Sequence, residues 1–384
     1  MMRIIGALAI VLVLYSLILA SDSSARGLEN HQRLAEREAL YGMMTIGVGI
    51  LIISGGIDLS IGSVCALAAV SLGVLLTKPF PLFDGPVPAV LAIAVVLCGA
   101  ALIGLFHGVL VTKLRLQPFI VTLCGLFIYR GLAYWLAIPE PAVPVKRILR
   151  DLVELFTGKE LFAGENLVNT SARNVGIGER SGELQDLIFF STGYPKFGSL
   201  VDQPIVGGLF RTLESIPVRF WLLCVIAILA TVFLHFSVHG RYVYAVGSNE
   251  QAARYAGVPS ARYKIIPYMI CSVLAALTGM LEFLDLQTAS PSSTGTWYEL
   301  YAITGAVLGG CSLRGGEGTV IGMLLGTAVL PLLRNLINFW QIPDDLTFMV
   351  IGVALLLGTI VDQLLGRVRW RRGQTAAAMP TGKG

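Results

Sequence analysis

The chain has 384 residues, a net charge of +4, 55% apolar and only 14% charged residues, and a mean hydropathy of +0.75. Soluble domains carry about 25% charged residues, so this composition excludes a water-soluble globular domain and describes a polytopic membrane protein. The surplus positive charge sits mostly in loop arginines, which membrane orientation explains without a nucleic-acid partner.

A hydrocarbon core about 30 Å thick needs roughly 20 apolar residues per helix. An all-α chain forming one transmembrane domain over 1–384 is expected, with ten spans near 3–20, 42–54, 60–77, 88–112, 118–138, 218–237, 265–283, 299–312, 318–335 and 346–364. The first begins with Arg3, runs apolar and ends SLILAS, as a signal peptide does, but Ile18 is a poor small residue before a cut at Ala20. A retained helix is expected, with a cleaved signal as the alternative. The spans at 42–54 and 299–312 are short and read as half-helices continued by irregular backbone.

Between the second and third spans lies SGGIDLSIGS, with Gly55, Gly56, Asp58 and Ser60. An aspartate at a helix centre costs about 2.5–3.5 kcal/mol on insertion scales, so Asp58 should not face lipid. The glycines let one helix end in a conformation closed to other residues, after which Asp58 or Ser60 can cap the next helix. Two readings follow: a structural turn near a membrane surface, or a discontinuous helix lining a polar translocation path.

Arg130 lies near the middle of FIYRGLAYW and must find a partner, meet water or snorkel outward. It is expected to face the protein interior, with Asp58 a conceivable partner. Residues 139–217, with a proline-rich entry and a Gly, Ser and Asn-rich middle, read as a long extracytoplasmic loop. Glu282 and Asp285 close the seventh span on the outer side, where simple solvation accounts for them.

Residues 240–264, GRYVYAVGSNEQAARYAGVPSARYK, read as a cytoplasmic loop holding a helix over roughly 249–256. Ser248 followed by Gln251 fits a capping box, Glu250 suits a first turn, and Gly257 with Pro259 fits a stop. So short an element cannot cross a membrane. Its small residues Ala252, Ala253 and Ala256, with Arg254 and Tyr255 for contact, suit docking into a groove of another protein. Further on, GGCSLRGGEGTVIG, from Gly309 to Gly322, loosely echoes the paired glycines of the first break. The carboxyl end, 365–384, reads as a basic cytoplasmic tail.

Lys113 and Arg115, then Arg241, Arg254, Arg262 and Lys264, then Arg367, Arg369, Arg371 and Arg372 fall on one side, which the charge rule makes cytoplasmic. Arg26, Arg33 and Arg37 of the first loop count against it, offset by Asp22, Glu29, Glu36 and Glu38. The six cysteines lie in or beside apolar spans without CxxC spacing, and the four histidines are scattered, so neither disulfide nor metal roles are expected. No G-x-x-x-x-G-K-[ST] occurs, and RGGEGT lacks the phosphate-holding lysine. The chain is therefore expected to be neither an ATPase nor any other enzyme, with no cofactor and no metal.

Taken together, SGGIDLSIGS, QPFIVTLCGLFIYRGLAY, GRYVYAVGSNEQAARYAGV and LGGCSLRGGEGTVIG resemble the permease subunits of bacterial ribose-type ABC sugar importers, in order along most of the chain. That resemblance implies a multi-pass protein of the inner membrane that pairs with a second permease subunit, a cytoplasmic ABC ATPase subunit and an extracytoplasmic sugar-binding protein. It makes the stretch Gly247, Ser248, Asn249, Glu250, Gln251, Ala253, Arg254 and Gly257 the element seated in the ATPase, and GGIDLS a motif of the transmembrane core. The segment around 140–200 is longer and more polar than such permeases imply. The rival expectation is a stand-alone ion-coupled transporter or channel using Asp58 with Arg130. The sugar itself is not written in the sequence.

Overall fold

The computed structural model describes residues 2–78, 86–138, 175–176, 187–189, 191–196, 212–343 and, beyond these, 346, 349, 351–353 and 356. Within them the protein is α-helical: α1 (Met2–Ser21), α2 (Leu28–Ile53), α3 (Ile61–Thr77), α4 (Ala89–Thr112), α5 (Pro118–Ala137), α6 (Val218–Thr231), α7 (Val238–Ser248), α8 (Glu250–Tyr255), α9 (Ser260–Leu286), α10 (Tyr298–Leu308) and α11 (Val320–Phe339). A π-helical turn, Val232–Phe236, extends α6. Two short strands, β1 (Val175–Gly176) and β2 (Thr288–Ala289), pair antiparallel with Val175 opposite Ala289. Among the described residues, α1, α4, α5, α6 with its π-turn, α9 and α11 are long and apolar enough to cross a membrane. The protein is an all-α polytopic membrane protein.

Nine of the ten expected spans coincide with a helix, while most of 346–364, 139–217 and all of 365–384 lie outside the described residues. The half-helix expected at 42–54 is corrected: α2 runs 26 residues from Leu28, about 39 Å at 1.5 Å per residue. Its polar opening turns hid this, and tertiary pairing explains it. Arg219 of α6, with only 3% of its side chain exposed, bonds Asp285 of α9 at 2.9 Å and faces Glu36 of α2 at 3.5 Å. Asp285 and Glu282 are thus not simply solvated. Glu282 accepts a 2.9 Å hydrogen bond from the Tyr298 hydroxyl.

α9 is the central post, packing along α2, α3 and α4. Tyr268 and Phe283 of α9, with Met43, Met44 and Ile50–Ile53 of α2, are among the largest buried side chains. Gly104 and Gly108 of α4 lie directly on the α9 backbone at Met269 and Ile265, the small-residue contact by which membrane helices approach closely. That pairing also brings Lys113 and Arg115, just past α4, to the same end of the bundle as Arg262 and Lys264.

The loose echo in the sequence is a repeated structure. α2 ends with Gly55 N–H bonded to Ile52 O at 2.9 Å and Gly56 N–H to Leu51 O at 3.0 Å. α10 ends with Gly310 N–H bonded to Val307 O and Cys311 N–H to Ala306 O, both at 2.9 Å. Each is a Schellman cap whose turning residue, Gly55 at φ +83° or Gly310 at φ +95°, occupies the left-handed region that glycine alone enters without strain. In both cases a helix runs to the basic end, breaks at paired glycines and is followed by a helix that returns.

α10 itself is short because the chain before it dips back into the bundle. Residues 290–297 form consecutive turns that pack Gly295 against Gly62 and Cys65 of α3. The half-helix expectation for 299–312 therefore holds, with irregular backbone completing the crossing.

Candidate functional site

The break after α2 is an elbow with open glycines and its two polar side chains sealed inside the bundle. Asp58 and Ser60 are both fully buried, and the Asp58 Oδ1 atom accepts from Ser60 N–H at 2.7 Å and from the Ser60 hydroxyl at 2.6 Å. Ser60 is the N-cap of α3 but makes no side-chain cap bond, so the expected capping by Asp58 or Ser60 gives way to a local Asx turn. The aspartate is needed to satisfy a backbone and a hydroxyl donor that water cannot reach.

Arg130 is not its partner. The Asp58 Oδ2 atom instead lies 3.6 Å from Nδ1 of His107 on α4, and His107 Nε2 is 3.0 Å from the Tyr129 hydroxyl on α5. Tyr268 of α9 completes the wall, donating to Ile57 O at 3.2 Å. Arg130 Nη1 donates to Pro291 O at 2.8 Å and to Thr294 O at 2.7 Å, tying α5 to the dipping turns. His107 was the partner that sequence reasoning missed. It is the one polar ring in an otherwise apolar span, about as far from the basic end as Asp58 needs, and a buried carboxylate demands such a neighbour.

The second element is a peg at the basic end. α7 stops at Ser248, and α8, Glu250–Tyr255, is capped by Asn249, whose side chain accepts from Ala252 N–H at 3.0 Å. The expected Ser248–Gln251 box is corrected on both counts: Ser248 is the last residue of α7, and Gln251 reaches Tyr255 at 3.4 Å. Asparagine in extended conformation (φ −158°, ψ 98°) breaks the helix and caps the next with one residue. Gly257, at φ +81°, provides the expected stop. Ala253 faces inward, while Gln251, Ala252, Arg254, Tyr255 and Ala256 point away from the bundle, Tyr255 being 82% exposed.

Glu250 binds the peg to the bundle through Lys264 at the start of α9 and braces it through Arg254 at 3.0 Å. Burial pushes the Glu250 carboxyl up, but Lys264 and Arg254 outweigh it and hold the group below its usual range. A lowered carboxylate contributes stability above its ordinary value and loses it only as pH falls through the lowered one, so the clamp is complete at neutral pH. Asn249→Ala should cost α8 about 1 kcal/mol and speed amide exchange over 251–254, whereas Ser248→Ala should leave those amides unchanged. Equal exchange in the two variants would count against the Asn249 cap.

Peg and elbows meet at one residue. Gly247 lies so close to the end of α2 that a Cβ there would overlap Ile53 O, and it would sit 2.7 Å from Gly316 N. Gly316 N–H in turn donates to Ile53 O at 2.8 Å, and the Tyr244 hydroxyl donates to Gly318 O at 2.7 Å. The base of the peg, the first elbow and the second glycine loop therefore form a single joint, with backbone touching backbone. Gly55 and Gly56 belong to the same joint, partly exposed beside it.

Residues 32–359 match the family described as "Branched-chain amino acid transport system / permease component". The chain is 30% identical to the ribose import permease protein RbsC of Escherichia coli, over 93% of this chain and 92% of that one. It is 29% identical to the xylose transport system permease protein XylH of Haemophilus influenzae, over 93% and 94% respectively. Identity to the fructose import permease protein FruG of Bifidobacterium longum is 26%, over 84% and 78%. No solved structure gives a significant match.

Proposed function

Because this chain belongs to the branched-chain amino acid transport system / permease component family, in its ribose-type branch, we propose that it forms the translocation path of an ATP-driven monosaccharide importer and takes its power from a separate ATPase subunit. It is a multi-pass protein of the bacterial inner membrane. Sugar delivered by an extracytoplasmic binding protein enters a path between this subunit and a second permease subunit, and the nucleotide cycle of the ATPase switches access to that path.

One observation carries the reading: an exposed, doubly capped helix of six residues, α8, stands on a joint that touches both glycine breaks. Its outward face, with Tyr255 and Arg254, is built for a groove on the cytoplasmic side, where the basic loops place it. Nucleotide binding favours one arrangement of the ATPase, and a docked peg passes that preference to α2, α3, α10 and α11 as a population shift. The ion-coupled alternative draws no support from Asp58 and Arg130, which serve separate partners.

Tyr255→Cys is expected to cross-link to the ATPase subunit in intact membranes. Arg254→Glu should lower uptake at least tenfold while the binding protein's sugar affinity stays unchanged. Uptake that survives ATP depletion but collapses with an uncoupler would sink the ATPase reading.

A further inference from the structure

We infer that the dipping turns 290–297 form the sugar-contact surface of the path, with the Trp297 indole as the stacking platform and the hydroxyls of Ser292, Ser293 and Thr296 beside it as hydrogen-bonding groups.

Depth comes first. Arg130 is the thirteenth of the twenty residues of α5, and its guanidinium holds the carbonyls of Pro291 and Thr294. Independently, Gly295 packs on Gly62 and Cys65 of α3, and Cys65 packs on Gly279, seven residues before the end of α9. Both routes put the turns roughly 10 Å below the ends of the surrounding helices. The carbonyl-bound arginine and the buried Thr294 and Gly295 fix one side of the turns to the bundle.

The other side is open. Ser292 and Ser293 are exposed, and half of the Trp297 surface is uncovered. Irregular backbone at this depth is tolerated only where it is buried in protein or lines a water-filled cavity, and the uncovered serine hydroxyls suit the second, on the path between the two permease subunits. Trp297 holds φ 67°, ψ 5°, a left-handed conformation that a bulky residue adopts only when its surroundings enforce it.

The chemistry selects the ligand class. An indole face takes the C–H face of a sugar ring, and neighbouring hydroxyls exchange hydrogen bonds with sugar hydroxyls. Arg130 is committed to the carbonyls of Pro291 and Thr294, and the side chains that the turns leave uncovered, Ser292, Ser293 and Trp297, are uncharged. Gly62, two residues beyond the buried Ser60, is what packs on these turns from α3.

The inference rests on the transport reading, and two variants of the reconstituted complex with its ATPase and binding protein test it, with radiolabelled D-ribose as the probe and D-xylose and D-fructose in parallel. Trp297→Ala should lower the maximal uptake rate at least tenfold and raise the ATP hydrolysed per sugar moved, with half-saturation unchanged because the binding protein sets it. Trp297→Phe should restore most of the rate. Ser293→Cys should react with a membrane-impermeant methanethiosulfonate reagent above the wild-type background and react more slowly with sugar present. Unaltered turnover in Trp297→Ala, or a Ser293→Cys thiol that reacts only with a lipid-soluble maleimide, would overturn the assignment. Should Trp297→Ala fail to assemble, the Ser293→Cys reactivity decides alone. Wild-type complex that moves none of the three sugars overturns the transport reading, and this inference with it.

Discussion

Gly247→Ala is expected to lower uptake at least tenfold while Gly131→Ala leaves it intact. At Gly247 the new methyl has nowhere to go: it overlaps Ile53 O and crowds Gly316 N, and both obstacles are backbone. Overpacking of this kind costs about 1–3 kcal/mol and forces the joint apart. Gly131 is the internal control, because nothing lies within 4 Å of a Cβ there and alanine favours a helix over glycine by about 1 kcal/mol. Because α8 lies outside the joint, Tyr255→Cys in the Gly247→Ala background should still cross-link to the ATPase. Docking kept while transport is lost would locate the defect in transmission. Normal uptake in Gly247→Ala would mean that the peg moves independently of the elbows.

The second large effect is at Asp58. Asp58→Ala removes the acceptor of two buried donors, the Ser60 N–H and hydroxyl, and leaves His107 facing an empty position. At about 1–3 kcal/mol for each unsatisfied group, roughly 2–6 kcal/mol of stability should disappear, comparable to the whole margin of many proteins. Asp58→Asn keeps an oxygen in the same place and an amide to face His107. It should retain most of the folded protein and most of the uptake. Thermal unfolding of the purified protein with uptake in membranes measures both. If Asn proves as damaging as Ala, the carboxylate's charge matters more than the hydrogen bonds it accepts. If Ala is harmless, the elbow does not depend on Asp58 at all.

These two expectations show how unevenly the site was legible. Asp58 announced itself, because a carboxylate between apolar runs is expensive in lipid and must be answered. Its answer, His107, lies far along the chain on another helix, and no local pattern links the two. Arg130 announced itself for the same reason, but its partners are backbone carbonyls of the 290–297 turns, which carry no side-chain signature. The peg was visible through its breakers and stop residue. Its cap was misassigned because Ser248 and Asn249 are both competent caps, and the choice depends on how far α7 continues. Gly247 entered only through the family resemblance, as part of the docked stretch, and its packing role was invisible, since a glycine required by a neighbour's carbonyl looks like any other.

By itself, the sequence determined the membrane class, nine of the helices, the two glycine breaks and the existence of a short capped helix at the basic end. All of these follow from local physics: apolar length against bilayer thickness, left-handed glycine, capping side chains and arginine asymmetry. Only the tertiary structure decided which buried polar groups pair, why the polar opening of α2 stays helical, and that three distant segments share one joint. Those outcomes depend on which backbones lie within a few ångströms of each other, and that distance is set by packing of the whole bundle rather than by any stretch of chain.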